Sequence, residues 1–417
     1  MIGLLTTQRV GLSIDFRCFS FFFFALFTYS RPLIIGFLFS EEIYIIRVQM
    51  KLTIGQEEFI TGLQAVQNVV STRTTLPILG NVLLCAKGNL LKLTATDLDV
   101  TISKTVEAKV EEEGSFTMPV KKLHNIAKEV GGSQVEIKVN ENKCNIQSAS
   151  FSTSVNGLPG EEFPPMPEFP EQNTVKMEQA KLKSMLRKTA YAVSVDENRY
   201  VLNGLFLSFK DKKLTMVATD GRRLALVEEE ADQPQESPVE IIVPTKAIQE
   251  LSRQLGEEGQ VEIKITENQA SFSLGSEAEG GAQVITKLVE GAYPNYRQVI
   301  PSESKYRVTM DKEELLHALR RADIMTSDKA NSVKMTFSEN NLKLTANTPE
   351  VGESQETMAI NYSGEETTIA FNPQYFIDPL NALDEEEVHF EFTDQLSPGV
   401  IKVNQPFLYV IMPMRTS

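Results

Sequence analysis

Two periods alternate along this chain. Val135, Ile137 and Val139 are separated by Glu136 and Lys138, the period-two pattern of a strand with one buried and one wet face. Gln56 to Thr72 instead carries Phe59, Leu63, Val66 and Val70 at helical spacing, so one helix face packs and the other stays free. Pro119 to Val130 does the same with Leu123, Ile126, Ala127 and Val130. From residue 50 onward the order is strand, helix, several strands, then strand, helix and more strands. That order predicts an α+β fold with helices lying on antiparallel sheets.

The whole order occurs three times. Lys213 to Leu224 reads KLTMVATDGRRL, Leu91 to Asp97 reads LKLTATD and Leu342 to Thr348 reads LKLTANT, so Ala95, Ala218 and Ala346 are equivalent positions 123 and 128 residues apart. LTIGQEEF from Leu52, VKMEQAKL from Val175 and VTMDKEEL from Val308 keep the same step, as do VEIKV from Val135, VEIKI from Val261 and VHFEF from Val388. Pro119, Pro244 and Pro373 each open a helical run, where a fixed backbone angle and a missing donor cost nothing. The period exceeds the roughly 20 to 50 residues of solenoid repeats, so each copy is expected to be a globular domain. The predicted domains are 50–170, 171–301 and 302–417, each made of two similar halves with one helix apiece. Helices are expected over 56–72, 119–130, 178–193, 244–255, 311–325 and 372–383. Proline-rich linkers, NGLPGEEFPPMPEFP from Asn156 and EGAYPNYRQVIP from Glu290, suit stiff joints between the domains.

Residues 1–49 have another composition. They hold nine of the 23 phenylalanines, Phe21 to Phe24 in a row. Cys18 to Tyr29 resembles the apolar part of a signal peptide, but Arg31 and Pro32 interrupt it before the ~20 residues a membrane span needs, and no convincing small-x-small cleavage site follows. The expectation is that translation starts at Met50, immediately before the first repeat landmark, with a leader or anchor as the alternative. Cys18, Cys85 and Cys144 cannot form a disulfide framework, which points to a reducing, cytoplasmic setting.

The formal net charge of −15 taken alone argues against nucleic acid. Its distribution changes that picture. The six expected helices carry twelve Lys or Arg against ten Asp or Glu, a balance of +2, so the acidity lies elsewhere in the chain. If like domains are joined stiffly in an arc, their helices line one side of it, and a less acidic lining inside an acidic body suits a polyanion. The third domain fits less well, because Asp311, Glu313 and Glu314 crowd its first helix.

Candidate chemistry is sparse. Asp97 and Asp99 form a D-x-D that could hold Mg2+ under a nucleotide, but the equivalent positions are Asp220 with Arg222 and Thr348 with Glu350, which favours a strand-to-turn role. His124, His317 and His389 lack ligand spacing, and no phosphate-cradling glycine loop or nucleophile motif is present. A three-domain secreted or surface adhesion protein is a second reading, supported by the apolar leader and the Asn361-Tyr362-Ser363 sequon.

TLPILGN from Thr75, LTATDLD from Leu93, RYVLNG from Arg199, VATDGRRL from Val217, YPNYRQVIP from Tyr293 and MPMR from Met412 together resemble the bacterial DNA polymerase III beta subunit family, the sliding clamps of replication. The resemblance covers Met50 to Ser417. It implies three topologically similar DNA-clamp domains per chain, each with two helices packed on antiparallel sheets and together forming half of a closed ring. Two chains joined head to tail would encircle double-stranded DNA without sequence preference, with no cofactor, no catalytic residue and no membrane. Twelve helices at ~10 Å spacing make a circle about 38 Å across; removing one helix diameter of ~10 Å leaves a hole of roughly 28 Å. A duplex about 20 Å wide fits loosely, so shape retains it and weak contacts let it slide.

By the same resemblance, a cleft between the second and third domains receives peptides of the replicative polymerase alpha subunit, the clamp loader and other replication and repair proteins. Its positions here are Leu202, Thr219, Gly221, Arg222, Arg223, Leu224, Pro294, Val299, Leu319, Asn372, Tyr375, Ile411, Met412, Pro413, Met414 and Arg415. A Met, Pro and Leu groove rimmed by arginine suits an extended peptide with apolar anchors. DNA contacts are expected from Arg73 and from Lys121, Lys122, Lys128, Lys183, Arg187, Lys188, Lys246 and Arg320 on the lining helices, and the head-to-tail joint from Leu315 and Leu316.

Overall fold

The computed structural model describes residues 49–70, 76–170, 174–231, 238–276, 280–327, 331–349 and 351–415. All six expected helices form: α1 Gln56–Gln67, α2 Val120–Glu129, α3 Gln179–Thr189, α4 Thr245–Gln254, α5 Lys312–Asp323 and α6 Gln374–Ala382. Pro119, Pro244 and Pro373 sit one step before the first helical residue, as N-caps of α2, α4 and α6. Every helix is shorter than the apolar run that predicted it. Val69 and Val70 continue the period of α1 and are buried, yet they lie past its end, because periodicity reports which side chains are buried and not the backbone that buries them.

Four antiparallel sheets of five, nine, eight and four strands carry these helices. The five-stranded sheet belongs to the first repeat alone and the four-stranded sheet to the third. The other two cross the repeat boundaries. Val100–Glu107 of the first repeat pairs with Ala282–Lys287 of the second, Ile102 opposite Val284. Arg223–Glu230 of the second pairs with Phe407–Ile411 of the third, Ala225 opposite Tyr409. The joints between repeats are therefore main-chain ladders. Both follow one rule, in which the last strand of a first half pairs with the last strand of the next repeat's second half.

Helices pack on the sheets through close backbone approach and large apolar side chains. A Cβ at Gly62 would stand 2.7 Å from Leu93 Cδ1, so glycine there lets α1 sit directly on the strand Leu90–Thr96. Burying each core leucine or phenylalanine contributes about 1.5–3 kcal/mol. In the third repeat the core is aromatic: the Phe337 ring centroid lies 4.5 Å from that of Phe392 and 5.8 Å from that of Phe390, and Phe376 lies 5.3 Å from Phe390.

One core residue is titratable. His124 on α2 is buried, its Nε2 has no hydrogen-bond partner, and burial, reinforced by the nearby Lys128 charge, holds its pKa below the ordinary value. A basic group with a depressed folded-state pKa costs nothing while both states are neutral. As pH falls below about 6.5, the unfolded chain takes up the proton first and folding loses stability. The urea midpoint of the first domain should therefore drop between pH 7.5 and pH 5.5. His124→Leu should flatten that drop; an equally steep loss in the variant would show that other groups cause it.

Candidate docking cleft and helix-borne basic residues

The joint between the second and third repeats is organised by the turn Thr219 to Arg223. The Asp220 carboxylate accepts from the Arg222 and Arg223 backbone N–H groups at 2.8 and 3.0 Å, and Thr219 Oγ1 accepts from Gly221 N at 3.1 Å. Gly221 adopts φ +85°, the left-handed region in which a Cβ is disfavoured. The turn aims Arg223 into the joint. Its guanidinium donates to Asp220 Oδ2 at 3.0 Å, to the Tyr191 carbonyl at 2.7 Å and to Asp378 on α6 of the third repeat. It also lies over the Tyr375 ring, 4.7 Å from the centroid, a cation–π contact in a partly dry site. Burial works against the charge of Arg223, while the Tyr409 hydroxyl and the Asp378 carboxylate favour it, and the balance holds the guanidinium charged more firmly than a free arginine.

The chain's end is stitched to both domains. Beyond the strand Phe407–Ile411, Met412 N donates to Arg222 O at 2.9 Å and Met414 N to Ala370 O at 2.7 Å. Two bonds two residues apart hold the tail extended, and the Met412 and Met414 side chains are left 40% and 39% exposed. Leu202, Leu224 and Ile411 are buried. Leu224 shares a small apolar cluster with Phe206, Val217, Ile242 and Val410, covered by Tyr293, Tyr296 and Ile300 of the linker, with Tyr293 stacked on Phe206 at 4.9 Å. Pro294, Val299, Arg222 and Arg415 are exposed; Pro413 is half-buried at the same tail, and Asn372, just before the Pro373 N-cap of α6, accepts from Gln374 N at 2.9 Å.

Leu319 does not belong to this groove. It is 1% exposed on α5, a helix that packs on the strands Asn341–Thr348 and Gly352–Ala359, so its side chain is core. Leu315 and Leu316 are likewise buried in their own domain and present no surface to a second chain; the exposed apolar residue at the end of α5 is Ile324, 72% exposed. Residues the sequence reading missed include Asp378, Tyr191 and Tyr409, which enclose Arg223, and Leu396, 69% exposed in the loop before Gly399, the residue paired with Ile411. The D-G-R-R turn was the available signal for Asp220. Nothing in the local pattern distinguishes Asp378 from any other helix-surface carboxylate.

The helix-borne cations divide into two groups. Lys121, Lys122 and Lys128 on α2 are exposed and form no ion pair with a described residue. Others are already engaged. Lys183 pairs with Glu257 at 2.5 Å, and Arg187 on α3 pairs with Asp384 of the third repeat. Lys188 is buried, donating to Gln405 Oε1 at 3.1 Å with Glu385 3.7 Å away, so it cannot reach a phosphate. Lys246 on α4 pairs with Asp97 of the first repeat and donates to the Val69 carbonyl; Arg320 donates to Asn381 at 2.6 Å. Arg73 lies outside the described residues. Asp97 and Asp99 serve the joint between the first and second repeats, through Lys246 and, at 3.0 Å, Lys287.

Among the described residues no group of three or more His, Cys, Asp and Glu could hold a metal ion, and no helix is long and apolar enough to cross a membrane. Three like domains chained through shared sheets, with two exposed methionines on a clamped tail at one joint and lysines without a described ion-pair partner on one helix, define a scaffold of the DNA-clamp class. Models of the DNA polymerase III beta subunit match in order: its N-terminal domain over residues 50–167, its central domain over 176–295 and its C-terminal domain over 297–415. The beta sliding clamp of Chlamydia trachomatis is 34% identical over 381 residues, covering 91% of this chain and 90% of its own length; that of Escherichia coli K12 is 33% identical over 371 residues, covering 88% and 100%. A crystal structure of the Pseudomonas aeruginosa sliding clamp bound to griselimycin superposes with a TM-score of 0.83 at 33% identity, covering 88% of this chain and all of that one. The Bacillus subtilis clamp gives 0.83 at 29% identity with the same coverage.

This chain belongs to the DNA polymerase III beta subunit family, the bacterial beta sliding clamps. It is a non-enzymatic processivity factor of DNA replication, and the surface-adhesion reading is set aside. The Arg223 network makes one consequence measurable. Asp378→Ala leaves the guanidinium without its partner from the third domain, and breaking a largely buried pair costs about 3 kcal/mol. Chemical unfolding should show that loss, with Asp378→Glu recovering part of it; a loss under ~1 kcal/mol would mean the pair behaves as a surface contact.

Proposed function

We propose that two copies of this chain close into a ring around duplex DNA in the cytoplasm, and that the groove at the second joint receives extended peptides of the polymerase alpha subunit, the clamp loader and other partners. The observation that carries the ring is the strand left over. Both joints inside the chain pair equivalent strands, and among the described residues one strand of each kind has no such neighbour: Gly352–Ala359 at the edge of the four-stranded sheet and Phe151–Asn156 at the edge of the five-stranded one. Edge strands with free backbone groups are templates for pairing. The third joint is then intermolecular, and a joint of this head-to-tail kind repeats until the ring closes.

The internal repeat also gives the register. Ile102 and Ala225 face Ala95 and Ala218 within their sheets, and Ser354 faces Ala346 in the same way. Val284 and Tyr409 occupy the place held by Thr153. Ser354 therefore stands opposite Thr153 of a second copy, which sets Glu356 opposite Phe151. The exposed Phe151 ring and Ile324 supply the apolar contact that Leu315 and Leu316 cannot. Within the ring, Lys121, Lys122 and Lys128 are the cations free to meet phosphate, and Arg187 and Lys183 reach it only by leaving their acids.

Directly opposed residues have Cα atoms about 4.5–5.5 Å apart, within disulfide range. In a chain with Cys18 and Cys85 changed to serine, Thr153→Cys with Ser354→Cys should oxidise to a covalently closed ring. The buried Cys144 thiol, pushed up to about 12 by burial, should stay inert. Thr153→Cys with Gln355→Cys is out of register and should not crosslink; efficient crosslinking there, or a monomeric wild-type chain, would overturn the joint.

The lining is tested separately. Lys121→Glu, Lys122→Glu and Lys128→Glu together should shorten retention on nicked circular DNA and reduce the salt slope by roughly 0.9 per lost contact, leaving dimer mass unchanged. Equal retention would remove α2 from the lining. Deleting 412–417 should abolish polymerase stimulation without opening the ring.

A further inference from the structure

The joint between the first and second domains reproduces the construction of the docking cleft. Thr96 Oγ1 accepts from Leu98 N at 3.1 Å and Asp97 accepts from Asp99 N and Val100 N at 3.0 and 2.7 Å, bond for bond the turn at Thr219 to Arg223. Lys287 N donates to Asp99 O at 2.9 Å, the counterpart of Met412 N on Arg222 O. Beside this turn lies a cavity of about 240 Å³ whose lining joins Leu98, Phe163, Met166 and Ile285 to the polar Thr96, Asp99, Gln269 and Lys287.

Two differences define what the cavity would take. The first is Leu98, which holds φ +78° where the cleft has Gly221 at +85°. A bulky side chain in the left-handed region is an outlier, and here it is also 45% exposed, so the chain keeps a strained, solvated leucine on the wall of this cavity. The second is the sign of the rim. Asp99 and Glu290 stand where the cleft has Arg222 and Arg415; the Asp99 side chain is 71% exposed and pairs at 3.0 Å with Lys287, which stands where the cleft has Met412, and Glu290 is exposed.

We infer that this joint is a second peptide-docking site, for an extended segment of a protein partner that inserts an aliphatic side chain against Leu98, Met166 and Ile285 and carries Lys or Arg beside that anchor. The cavity has room for one or two side chains, below the range of a drug-sized pocket, which fits a single anchor. A basic flank meets Glu290 and takes the place of Lys287 beside Asp99, whereas an acidic flank meets the like charge of both carboxylates. The analogy rests on the cleft's reading as a peptide site, and the two sites can be watched separately.

Methionine methyl carbon-13 spectra of the full chain give both readouts at once, Met166 for this joint and Met412 and Met414 for the cleft. The probes are an eight-residue peptide with two leucines between pairs of lysines and its glutamate counterpart. The lysine peptide should shift the Met166 methyl at concentrations at least tenfold below the glutamate peptide. Leu98→Gly with Asp99→Arg, which writes the cleft's turn into this joint, relieves the backbone strain and gives up the Asp99–Lys287 pair, should weaken the lysine peptide at Met166 at least tenfold. A Met166 signal that neither peptide moves, or that both move alike, overturns the proposal, whatever the Met412 and Met414 signals do.

Discussion

The structure depends on main-chain pairing across domain boundaries. Each joint inside the chain is an antiparallel ladder that makes one sheet of two domains, so the angle between domains is fixed by strand geometry and twist rather than by the meeting of side chains. A ladder is directional and register-specific. Among the described residues it also leaves the equivalent strands Gly352–Ala359 and Phe151–Asn156 at sheet edges. The linkers reinforce this arrangement: Tyr293 and Tyr296 cover the apolar cluster around Phe206, and Leu158 with Pro159 pairs onto the strand Gly114–Pro119.

Charge is also used at those joints. Arg223 with Asp378, Arg187 with Asp384 and Lys246 with Asp97 each join neighbouring domains. Cations that would otherwise attract a polyanion are committed to holding domains in place. This division suits sliding. A lining with few uncommitted positive charges holds a duplex weakly, and confinement by a closed ring supplies retention without tight binding.

The proposed docking groove is built from residues that do no chemistry. Asp220 shapes a turn, the turn aims Arg223, and Arg223 ties α6 to the second domain while Tyr375 packs beneath its guanidinium. The tail is then clamped by two backbone bonds so that alternate side chains, Met412 and Met414, face outward. Methionine suits such a surface because its flexible, polarizable chain adapts to different anchors.

The sequence by itself determined the three-fold internal repeat, the α+β class, the six helices with their proline caps and the strand that carries each landmark, because periodicity and turn chemistry are local properties. The turn at Thr219 to Arg223 and the C-terminal MPMR were legible as well, since one is the repeat's own turn and the other follows its last strand. Tertiary structure alone decided which cations are free and which leucines are surface. Lys188, Leu315 and Leu319 lie on helices whose sequence shows an apolar face and a polar one, but a helix between a sheet and a neighbouring domain has two covered sides, and only the packed neighbours decide which charge is paired and which side chain is sealed.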